Sequence, residues 1–563
     1  MYRAPVREIQ FCLHRVVGFD RVTGTGRFSE ATPELVEAIL TEAARLCEDV
    51  IAPLQRAGDV HPARIENGVV RCSPGFREGY QAIAAGGWIG MAAAPEYGGM
   101  GLPLTLATCV NEMMGSACLA IQLGPLMSQG QIEALEAHAA DEIKELFLPK
   151  LISGEWTGTM NLTEAQAGSD VGALRTRAEP DGAGTYRVTG QKIFISWGDH
   201  DIADNICHLV LARLPGAAPG TRGISLFLVP KFVPDADGRP GVANAVHPVS
   251  LEHKMGLHGS PTAVMEFDGA KGWMIGPENG GMAAMFTMMN NARLGVGVQG
   301  LSVAEAAYQK ALEYAGERRQ GKTPEAGEQA IIGHADVRRM LARMKALTAA
   351  ARFLCLDLAT NVDLARASEG AQAARRTARA AFLTPIAKAF ATDVGCEVSD
   401  LGIQVHGGMG YIEETGAAQY YRDVRVTRIY EGTNGIQAMD LAGRKLRDGG
   451  AAAFALLDEI AETARDDPAL AAAEATLRDA TRRFLDLPDQ NDRHAGAAAY
   501  LRAFALTLGG HYLSKAARSG ERPREALARF YALHVLPEIP ALCASACAGA
   551  AALYALDREA LAG

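Results

Sequence analysis

The sequence predicts an α+β chain in which a β domain lies between two helical domains. Apolar residues recur at helical spacing from about residue 32 to 150 and again from about 279 to 445. Between these stretches, from 155 to about 268, the spacing changes to the alternation that is typical of strands. No helix-length pattern interrupts the strands, so we expect an antiparallel, barrel-like sheet rather than βαβ units.

The length of the chain indicates several domains. At 563 residues it exceeds the ~250–300 residues at which a single core usually stops growing. The plainest boundary is the glycine pair at 449–450, after which an alanine-rich helical tail begins. The expected parts are an N-terminal arm (1–34), an N-terminal α domain (35–155), a middle β domain (156–278), an α-helical bundle (279–448) and a C-terminal helical extension (449–563).

The first helical block carries recognisable start and stop signals. Ser29 and Thr32 can cap its first helix, and the glycine-rich break APEYGGMGLPLT at 94–105 divides the block. An amphipathic first helix is predicted because apolar residues recur there at Leu35, Ile39, Ala43, Leu46 and Val50.

Four segments of the middle domain have the strand pattern, with Gly and Pro between them. They are TYRVTGQKIFIS (185–196), ICHLVLAR (206–213), ISLFLVP (224–230) and AVMEF (263–267). The glycine pairs at 98–99 and 407–408 do not follow strands, so they do not indicate a dinucleotide-binding unit.

Composition excludes several functional classes. With 48% hydrophobic and 21% charged residues the chain has the composition of a soluble globular protein, and its net charge of -10 argues against a general nucleic-acid binder. The N-terminus, MYRAPVREIQFCLHRVVGF, is charged and predicts neither a signal peptide nor a membrane span. The ten cysteines are scattered and His258, His334 and His406 lie far apart, so we expect buried thiols in a reducing cytoplasm and no metal site.

The stretch RDVRVTRIYEGTNGIQ, at 422–437, has the strongest chemical signal. Alternating charged and β-branched residues lead to a carboxylate, Glu431, which Gly432 and Thr433 follow. Desolvation raises the pKa of a carboxylate, and a general base that works near neutral pH needs such a pKa. The apolar positions that would supply burial are Val424, Val426 and Ile429. The alternative is a surface turn with a solvated glutamate, which this stretch taken alone favours.

Two further stretches offer ligand contacts. NLTEAQAGSDVGALRTRAE, at 161–179, is predicted to be a loop in which Gly168 and Ser169 present N–H groups and a hydroxyl to a ligand's oxygens. In GQKIFISWG, aromatic residues at 194 and 197 flank Ser196, an arrangement on which a flat heterocycle could stack. The alternative is a hairpin with core aromatics, and for Phe194 alone the core is the favoured interpretation. LGIQVHGGMGYIEE, at 401–414, indicates by itself only a helix C-cap.

Together these motifs resemble the acyl-CoA dehydrogenase family. They follow the family's order over roughly residues 35–445 as PEYGGMGL (95–102), LTEAQAGSDV (162–171), GQKIFIS (190–196), ERRQGK (317–322), QVHGGMGY (404–411) and RIYEGTNGIQ (428–437). The arm, the phrase KMGLHGSPT (254–262) and the tail are similar to a longer branch of the family. That branch includes 3-(methylthio)propanoyl-CoA dehydrogenases and broad-range acyl-CoA dehydrogenases.

The resemblance implies α,β-dehydrogenation of an acyl-CoA of short or medium length, as in fatty-acid β-oxidation, with non-covalently bound FAD. Glu431 aligns with the base that removes the α-proton while the β-hydrogen leaves as hydride. In the family the base's own N–H and a flavin ribityl hydroxyl hold the thioester oxygen, where negative charge develops. The resemblance also implies an electron-transfer flavoprotein as acceptor and a homodimer or homotetramer.

The family's binding residues carry over position by position. The implied flavin contacts are Leu162, Thr163, Ser169, Phe194, Ile195, Ser196, Gln404, Gly407, Gly408 and Thr433, with Arg318 reaching FAD from a neighbouring subunit. The implied substrate contacts are Ser169, Asn290, Arg293 and Gly432.

The chain departs from the family's pattern in places, and two other functions remain open. Residues 164–168 read EAQAG where the family has Glu-Pro-Gly-Ala-Gly, so we expect a less rigid turn, and ERRQGK is one residue shorter than usual. One alternative is a flavin oxidase, acting on acyl-CoA or nitroalkanes. The other is a DNA-associated relative, but residues 451–563 hold 12 Lys and Arg against 15 Asp and Glu, a net charge of -3 that does not suit phosphate contacts.

Overall fold

A computed structural model describes residues 2–182, 184–325 and 327–563. The chain divides into two compact units. The first, Pro33–Gly295, contains the first helical block and the sheet, and we call it the sheet unit. The second, Met1–Thr32 with Val296–Gly563, contains the arm, the bundle and the extension, and we call it the bundle unit.

The sheet unit begins with a block of helices. They are α3 (Pro33–Arg45), α4 (Leu54–Val60), α5 (Phe76–Ala85), α6 (Leu104–Ala117), α7 (Leu119–His138) and α8 (Asp141–Ser153). The predicted face of α3 is rotated by one position, because its buried residues are Val36, Leu40 and Ala43 while Leu35 is exposed. Both rows of the helix are apolar, and periodicity alone does not say which row faces the core.

A short hairpin interrupts these helices and was not predicted. Its strands, β1 (Arg64–Glu66) and β2 (Val69–Arg71), pair antiparallel. Asn67 and Gly68, which join them, have φ of 52° and 76°. An Asn-Gly pair with two positive φ values is the preferred two-residue hairpin turn, so this dipeptide was the signal for it.

A seven-stranded sheet follows. Its strands are β3 (Trp156–Asn161), β4 (Arg177–Pro180), β5 (Tyr186–Ser196), β6 (Asn205–Ala212), β7 (Ser225–Pro230), β10 (Val246–Leu251) and β11 (Thr262–Ile275), while β8 (Phe232–Pro234) and β9 (Pro240–Ala243) form a separate hairpin. The order is β3-β6-β7-β11-β5-β4, with β10 beside β11. The prediction of an antiparallel sheet is wrong for one pair, since β3 and β6 run parallel. A parallel pair needs a long connection, and here β4 and β5 lie between β3 and β6 in the chain. The chain can therefore return to the end of the sheet at which β3 starts before β6 begins.

The sheet curls, as the barrel-like prediction required. Ala178 N donates to the Arg213 carbonyl at 2.8 Å and Arg213 N donates to the Thr176 carbonyl at 2.9 Å, which brings the start of β4 against the end of β6. The inner face is an apolar core that includes Val188, Ile195, Val210, Phe227 and Phe267. This core fixes β5, on which part of the candidate site lies.

The bundle unit is almost entirely helical. Two short helices of the arm, α1 (Val6–Phe11) and α2 (Asp20–Thr23), belong to it. The bundle helices are α9 (Gly281–Glu317), which begins in the sheet unit, α10 (Ala335–Arg366), α11 (Gly370–His406), α12 (Ala417–Val424) and α13 (Asn434–Ala442). The extension contributes α14 (Ala451–Thr463), α15 (Pro468–Leu485), α16 (Gln490–Ala517), α17 (Arg522–His534), α18 (Ile539–Ala546), α19 (Ala551–Tyr554) and α20 (Arg558–Ala562).

The extension packs on the bundle, as predicted. Helix α16 lies against α10 and α13, and Tyr512 on it donates to the buried carboxylate of Asp357 at 2.8 Å. Arg343 bridges Glu397 at 2.6 Å and Glu538 at 2.9 Å, and so joins the bundle to the extension. The apolar residues expected to pack there, Leu456, Leu457, Ile460 and Phe484, are all buried.

The arm is tied to the extension. Arg524 on α17 makes two hydrogen bonds to the Glu8 carboxylate, at 2.6 and 3.0 Å. The same guanidinium lies 4.0 Å from the centre of the Phe11 ring. A two-point ion pair with a stacked aromatic ring is a specific contact, so the arm belongs structurally to the far end of the chain.

All ten cysteines are free thiols, and eight of them are buried. Burial raises the pKa of several of these thiols, including Cys47, Cys72 and Cys207. Among the described residues no helix is long and apolar enough to cross a membrane. Over the same residues no group of three or more His, Cys, Asp or Glu is arranged to hold a metal ion.

Candidate active site

Glu431 lies on a tight turn in the bundle unit. The turn connects a short 3-10 segment, Arg425–Arg428, to the start of α13. Glu431 and Gly432 have φ of 54° and 84°, so two successive residues are left-handed. Thr433 then caps α13, its hydroxyl accepting a hydrogen bond from Ile436 N at 3.2 Å.

Left-handed backbone at a residue with a side chain is uncommon and costs free energy, so it marks a place that the surroundings hold in shape. In the described part of the chain six residues other than glycine have it. Four of the six fall in motifs that the sequence singled out, namely Phe194, Trp197, Leu257 and Glu431. Two of the predicted site residues, Phe194 and Glu431, are therefore among the strained positions.

Two buried side chains hold the Glu431 turn by its carbonyl groups. The ammonium of Lys388, on α11, donates to the Gly432 carbonyl at 2.8 Å. The Gln437 amide donates to the Glu431 carbonyl at 3.3 Å and to the Gly432 carbonyl at 3.4 Å. Lys388 and Gln437 are both fully buried, so the turn rests on groups that water does not reach.

The apolar run before Glu431 buries less than expected. Val424 is fully buried, but Ile429 is 54% exposed, because this stretch is helical rather than extended and turns one side to solvent. The neighbouring Tyr430 is held by its hydroxyl, which donates to Gln299. Burial raises the pKa of Tyr430, and the nearby charge of Glu431 raises it further. Glu431 itself is half-buried.

In the sheet unit, Glu164 anchors the predicted ligand loop. Its carboxylate accepts from Lys192 at 2.8 Å, from the Thr176 hydroxyl at 2.6 Å and from Arg175 N at 2.7 Å. Burial alone would raise the pKa of Glu164, but the charge of Lys192 and these hydrogen bonds lower it to about 2. Lys192 is fully buried and also donates to the Leu162 carbonyl at 3.0 Å. Its ammonium group therefore holds the start of the loop at both Leu162 and Glu164.

The turn that lacks the family's proline is held by other means. Glu164 and Ala167 exchange backbone hydrogen bonds of 3.1 and 2.9 Å. The Gln166 amide adds a bond of 2.6 Å to the Glu164 carboxylate. These bonds close the turn that a proline ring would otherwise restrict.

The two aromatic residues of GQKIFISWG have opposite roles. Phe194 is 59% exposed, with φ of 60°, so the interpretation that this ring belongs to the core is wrong. Trp197 is 1% exposed and stacks on Phe76, so it is the core residue of the two. The left-handed backbone at 194 turns that ring out of the sheet, which local sequence does not reveal. Ile195 points into the sheet's core, so only its backbone can reach a ligand.

The loop and β5 come together at this exposed ring. Ile193 N donates to the Thr163 carbonyl at 2.9 Å, and the Thr159 hydroxyl donates to the Ser196 carbonyl at 2.7 Å. Leu162 and Thr163 are half-buried beside them. Within residues 2–182, 184–325 and 327–563, no protein group bonds to the side-chain hydroxyls of Thr163, Ser169 or Ser196. An exposed aromatic face with unengaged hydroxyls fits a flat, polar heterocycle such as a flavin.

The remaining predicted positions lie on helices. On α9, Asn290 is exposed and Arg293 is 7% exposed, within the sheet unit. In the bundle unit Gln404 and the pair Gly407–Gly408 lie exposed where α11 ends, with Gly407 as its C-cap. Arg318, just after α9, is exposed and its guanidinium contacts Gln320 at 3.4 Å.

Sequence reasoning missed Lys192, Lys388 and Gln437. A signal existed for the two lysines. Lys192 is the one charged residue of the strand segment KIFIS, and Lys388 is the one charged residue between Arg379 and Asp393. A lone cation in an apolar run is buried only when it has hydrogen-bond acceptors, so each indicated a specific contact.

Comparison with known proteins assigns the family. The N-terminal, middle and C-terminal domains of acyl-CoA dehydrogenases match residues 33–155, 159–270 and 279–446. A fourth family, the acetyl-CoA dehydrogenase C-terminal-like domain, matches residues 451–557. Together these matches extend over both compact units.

Individual relatives of the chain are also named as acyl-CoA dehydrogenases. The chain is 47% identical over 466 residues to the 3-methylmercaptopropionyl-CoA dehydrogenase of Ruegeria pomeroyi, covering 82% of this chain and 79% of that protein. It is 36% identical over 461 residues to a butyryl-CoA dehydrogenase of Syntrophomonas wolfei, covering 79% and 75%.

A solved structure shares the fold over nearly the whole length. Caenorhabditis elegans ACDH-11, in complex with C11-CoA, superposes with a TM-score of 0.78 at 21% identity, covering 94% of this chain and 91% of that one. The family is the same in the domain matches along the chain and in the 47% identical relative, and the shared fold is consistent with it. The chain therefore belongs to the acyl-CoA dehydrogenase family, and it is an FAD-dependent oxidoreductase that dehydrogenates acyl-CoA.

Proposed function

We propose that this protein converts a short or medium acyl-CoA thioester to the 2-enoyl-CoA. The specific substrate that we propose is 3-(methylthio)propanoyl-CoA. The relative from Ruegeria pomeroyi, at 47% identity, carries the name of a dehydrogenase for that same acyl group. The 36% identical relative from Syntrophomonas wolfei is named for butyryl-CoA, a four-carbon thioester. Both names support short acyl groups.

Glu431 is the proposed base that removes the α-proton. The observation that carries this role is its left-handed backbone, with φ of 54°, on a turn held by buried groups. A base beside a weakly acidic C–H must be ionised and already in position, and a rigid, half-buried turn supplies both position and partial desolvation. Bound FAD supplies the acceptor for the β-hydrogen.

Other residues have supporting roles in the proposal. The Glu431 N–H stabilises the negative charge that develops on the thioester oxygen, and Gly432 allows the thioester to approach the backbone closely. Asn290 and Arg293 bind the CoA arm, for which a guanidinium is a suitable phosphate partner. Thr163, Ser169, Phe194 and Ser196 bind the flavin with the backbone of Leu162 and Ile195, and its remaining contacts are Gln404, Gly407, Gly408 and Thr433.

The assembly and the electron acceptor belong to the same proposal. Arg318 is exposed in one chain, so it is available to reach FAD in a neighbouring subunit of a homodimer or homotetramer. An electron-transfer flavoprotein is the proposed acceptor. We place the enzyme in the cytoplasm, where ten free thiols remain reduced.

The test is Glu431→Gln, which preserves size and hydrogen bonding but cannot take the proton. Loss of a general base costs about 10²–10⁴ in rate, or about 3–6 kcal/mol. The purified variant is expected to retain its yellow flavin spectrum and to bleach at least a hundredfold more slowly with acyl-CoA under anaerobic conditions. Glu414→Gln is the matched control, because Glu414 is an exposed glutamate of the same unit.

Bleaching of Glu431→Gln within tenfold of the wild-type rate would show that another residue is the base. The substrate class has its own test, a turnover screen of acyl-CoA thioesters from about C4 to C16 with the thioether included. A specificity constant for C16 well above that for C4 to C8 would overturn the proposed chain length.

A further inference from the structure

The turn that carries Glu431 is strained and needs support from outside itself. Glu431 and Gly432 are both left-handed, with φ of 54° and 84°. For a residue with a side chain this conformation costs about 1–2 kcal/mol, so other contacts must stabilise it. The direction of the Glu431 side chain depends on this backbone, since the Cα–Cβ bond turns with φ.

Lys388 makes the shortest of the contacts to the turn's carbonyl groups. Its Nζ donates to the Gly432 carbonyl at 2.8 Å, whereas the Gln437 amide reaches the same oxygen at 3.4 Å. The lysine bond also has a charged donor, and such hydrogen bonds are roughly twice as strong as neutral ones. Lys388 is therefore the principal support of Gly432.

Lys388 is itself fixed in place. Lys388 belongs to the 37-residue helix α11, and its side chain is fully buried. It therefore cannot exchange its hydrogen-bond partners for water. A second bond, 2.9 Å long, joins its Nζ to the Asn434 side-chain oxygen. The Asn434 amide group in turn donates to Asp393 at 2.9 Å and to the Ala389 carbonyl at 3.2 Å, both on α11.

These bonds connect the turn to α11 at Gly432 and at Asn434. Lys388 holds the carbonyl of the residue after Glu431, and Asn434 holds the first turn of α13. The position of the Glu431 carboxylate is thereby set by a helix that is distant in sequence. Nothing in this arrangement requires Lys388 to touch the substrate.

We propose that Lys388 is a positioning residue for the base Glu431, acting through the Gly432 carbonyl and Asn434. The inference rests on the proposed function, in which Glu431 removes the α-proton. A displacement of about 1 Å at a reacting group can cost about 100-fold in rate. Lys388→Met, which retains the length of the side chain and removes the donor, is expected to slow anaerobic flavin reduction by about 10–100-fold.

The experiment uses the FAD-loaded enzyme and measures two rates. The first is flavin bleaching with butyryl-CoA, and the second is exchange of its α-proton in D₂O, which reports on the base alone. Both are expected to fall together in Lys388→Met, with FAD content and the Kd for the product 2-enoyl-CoA unchanged. Arg352→Met is the matched control, because Arg352 is a buried cation of the same bundle and forms its ion pair with Glu305, at 2.6 Å.

The decisive comparison repeats Lys388→Met in the Glu431→Gln background. A residue that acts by positioning the base has no base to position in that background. The slow rate of flavin reduction in Glu431→Gln is therefore expected to be unchanged when Lys388→Met is added. Should Lys388→Met fold poorly, Asn434→Ala serves in its stead, with an expected loss of about 3–10-fold that likewise disappears in the Glu431→Gln background.

The outcomes separate this inference from the proposed function. If Glu431→Gln retains the wild-type rate, the base is misassigned and the positioning role is overturned with it. If Glu431→Gln is slow and Lys388→Met retains the wild-type rate, the base stands and the role of Lys388 is overturned. An equal loss from Lys388→Met in both backgrounds, or an equal loss in Arg352→Met, would also overturn it.

Discussion

Two fully buried lysines each support a turn that carries predicted site residues, one turn in each compact unit. Lys192, on β5, donates to the Glu164 carboxylate and to the Leu162 carbonyl. Lys388, on α11, donates to the Gly432 carbonyl and to the side-chain oxygen of Asn434. The two cations therefore have similar positions next to a turn, and the bonds described here join Lys192 to a carboxylate and Lys388 to two neutral oxygens.

This difference indicates what each lysine contributes. Removing Lys192 would leave a buried carboxylate without its cation, and an uncompensated buried charge costs several kcal/mol of stability. Removing Lys388 takes a hydrogen bond from each of the neutral oxygens of Gly432 and Asn434, and a buried acceptor that loses its donor costs ~1–3 kcal/mol. We therefore expect the predicted ligand loop at 161–179 to depend on Lys192 for folding, and the turn at Glu431 to depend on Lys388 for the rate of the reaction.

The largest expected effect is that of Lys192→Met. Breaking a buried ion pair by removing one partner costs about 3–5 kcal/mol, so thermal unfolding is expected at a clearly lower temperature and FAD is expected to be lost on purification. The measurement is thermal unfolding of the purified protein together with its flavin absorbance. In the double variant Glu164→Gln/Lys192→Met part of the loss should return, because no unpaired charge remains. A Lys192→Met enzyme of wild-type stability would contradict the comparison.

A pH titration addresses the same pair. The pKa of Glu164 is about 2 in the folded chain, below the usual 4.5. A lowered carboxylate pKa stabilises the fold above pH 4.5, and this stabilisation is lost as the pH falls from 4.5 towards 2. We expect the free energy of unfolding to fall over that range less steeply in Glu164→Gln than in the wild type. If the free energy of unfolding falls equally steeply with pH in the two proteins, the partners of Glu164 do not stabilise its ionised form.

Gly432→Ala tests the base turn without altering a charge. The left-handed φ of 84° disfavours alanine, and its Cβ would lie 2.7 Å from the Gln437 amide nitrogen. We expect about 1–2 kcal/mol less stability and about 10–100-fold slower flavin reduction, because the turn must shift. The matched control is Gly435→Ala, where a Cβ would meet only Thr433 Oγ1 at 3.7 Å. Equal rates for the two variants would argue against a rigid turn.

The smallest effect is expected at Phe194, the residue of β5 with left-handed backbone. Glycine adopts φ of 60° at no steric cost, so Phe194→Gly should stabilise the FAD-free protein by about 1 kcal/mol. The same change removes the exposed ring and should weaken FAD binding. Unfolding of the apoprotein and a flavin titration measure the two effects. A less stable apoprotein with unchanged FAD affinity would show that the ring serves the fold instead of the cofactor.

Much of the fold could be predicted from the sequence because it depends on local periodicity. The strand expected at 185–196 is observed at Tyr186–Ser196, and the one expected at 224–230 is observed at Ser225–Pro230. The parallel pairing of β3 with β6 was missed, since pairing partners are chosen by the whole sheet and not by either strand. Periodicity also could not distinguish two apolar rows of α3 that lie side by side.

The site was predictable only in part, for a related reason. Glu431 could be singled out because its motif is contiguous. Lys388 is more than forty positions away, and no local pattern connects the two. Phe194 taken alone was expected in the core because an aromatic residue in a strand is usually buried, and its backbone angle turns the ring outwards.

The contact between Glu8 and Arg524 has a consequence for the order of synthesis. The two residues are 516 positions apart, so the arm emerges from the ribosome long before its partner exists. At about 5–20 residues per second, roughly half a minute to two minutes separates them. The sheet unit is continuous in sequence and can fold during this interval, whereas the bundle unit has to wait for α17 to be translated. Until then the Phe11 ring has no guanidinium to cover it, and the nascent chain carries an open arm that a chaperone can bind.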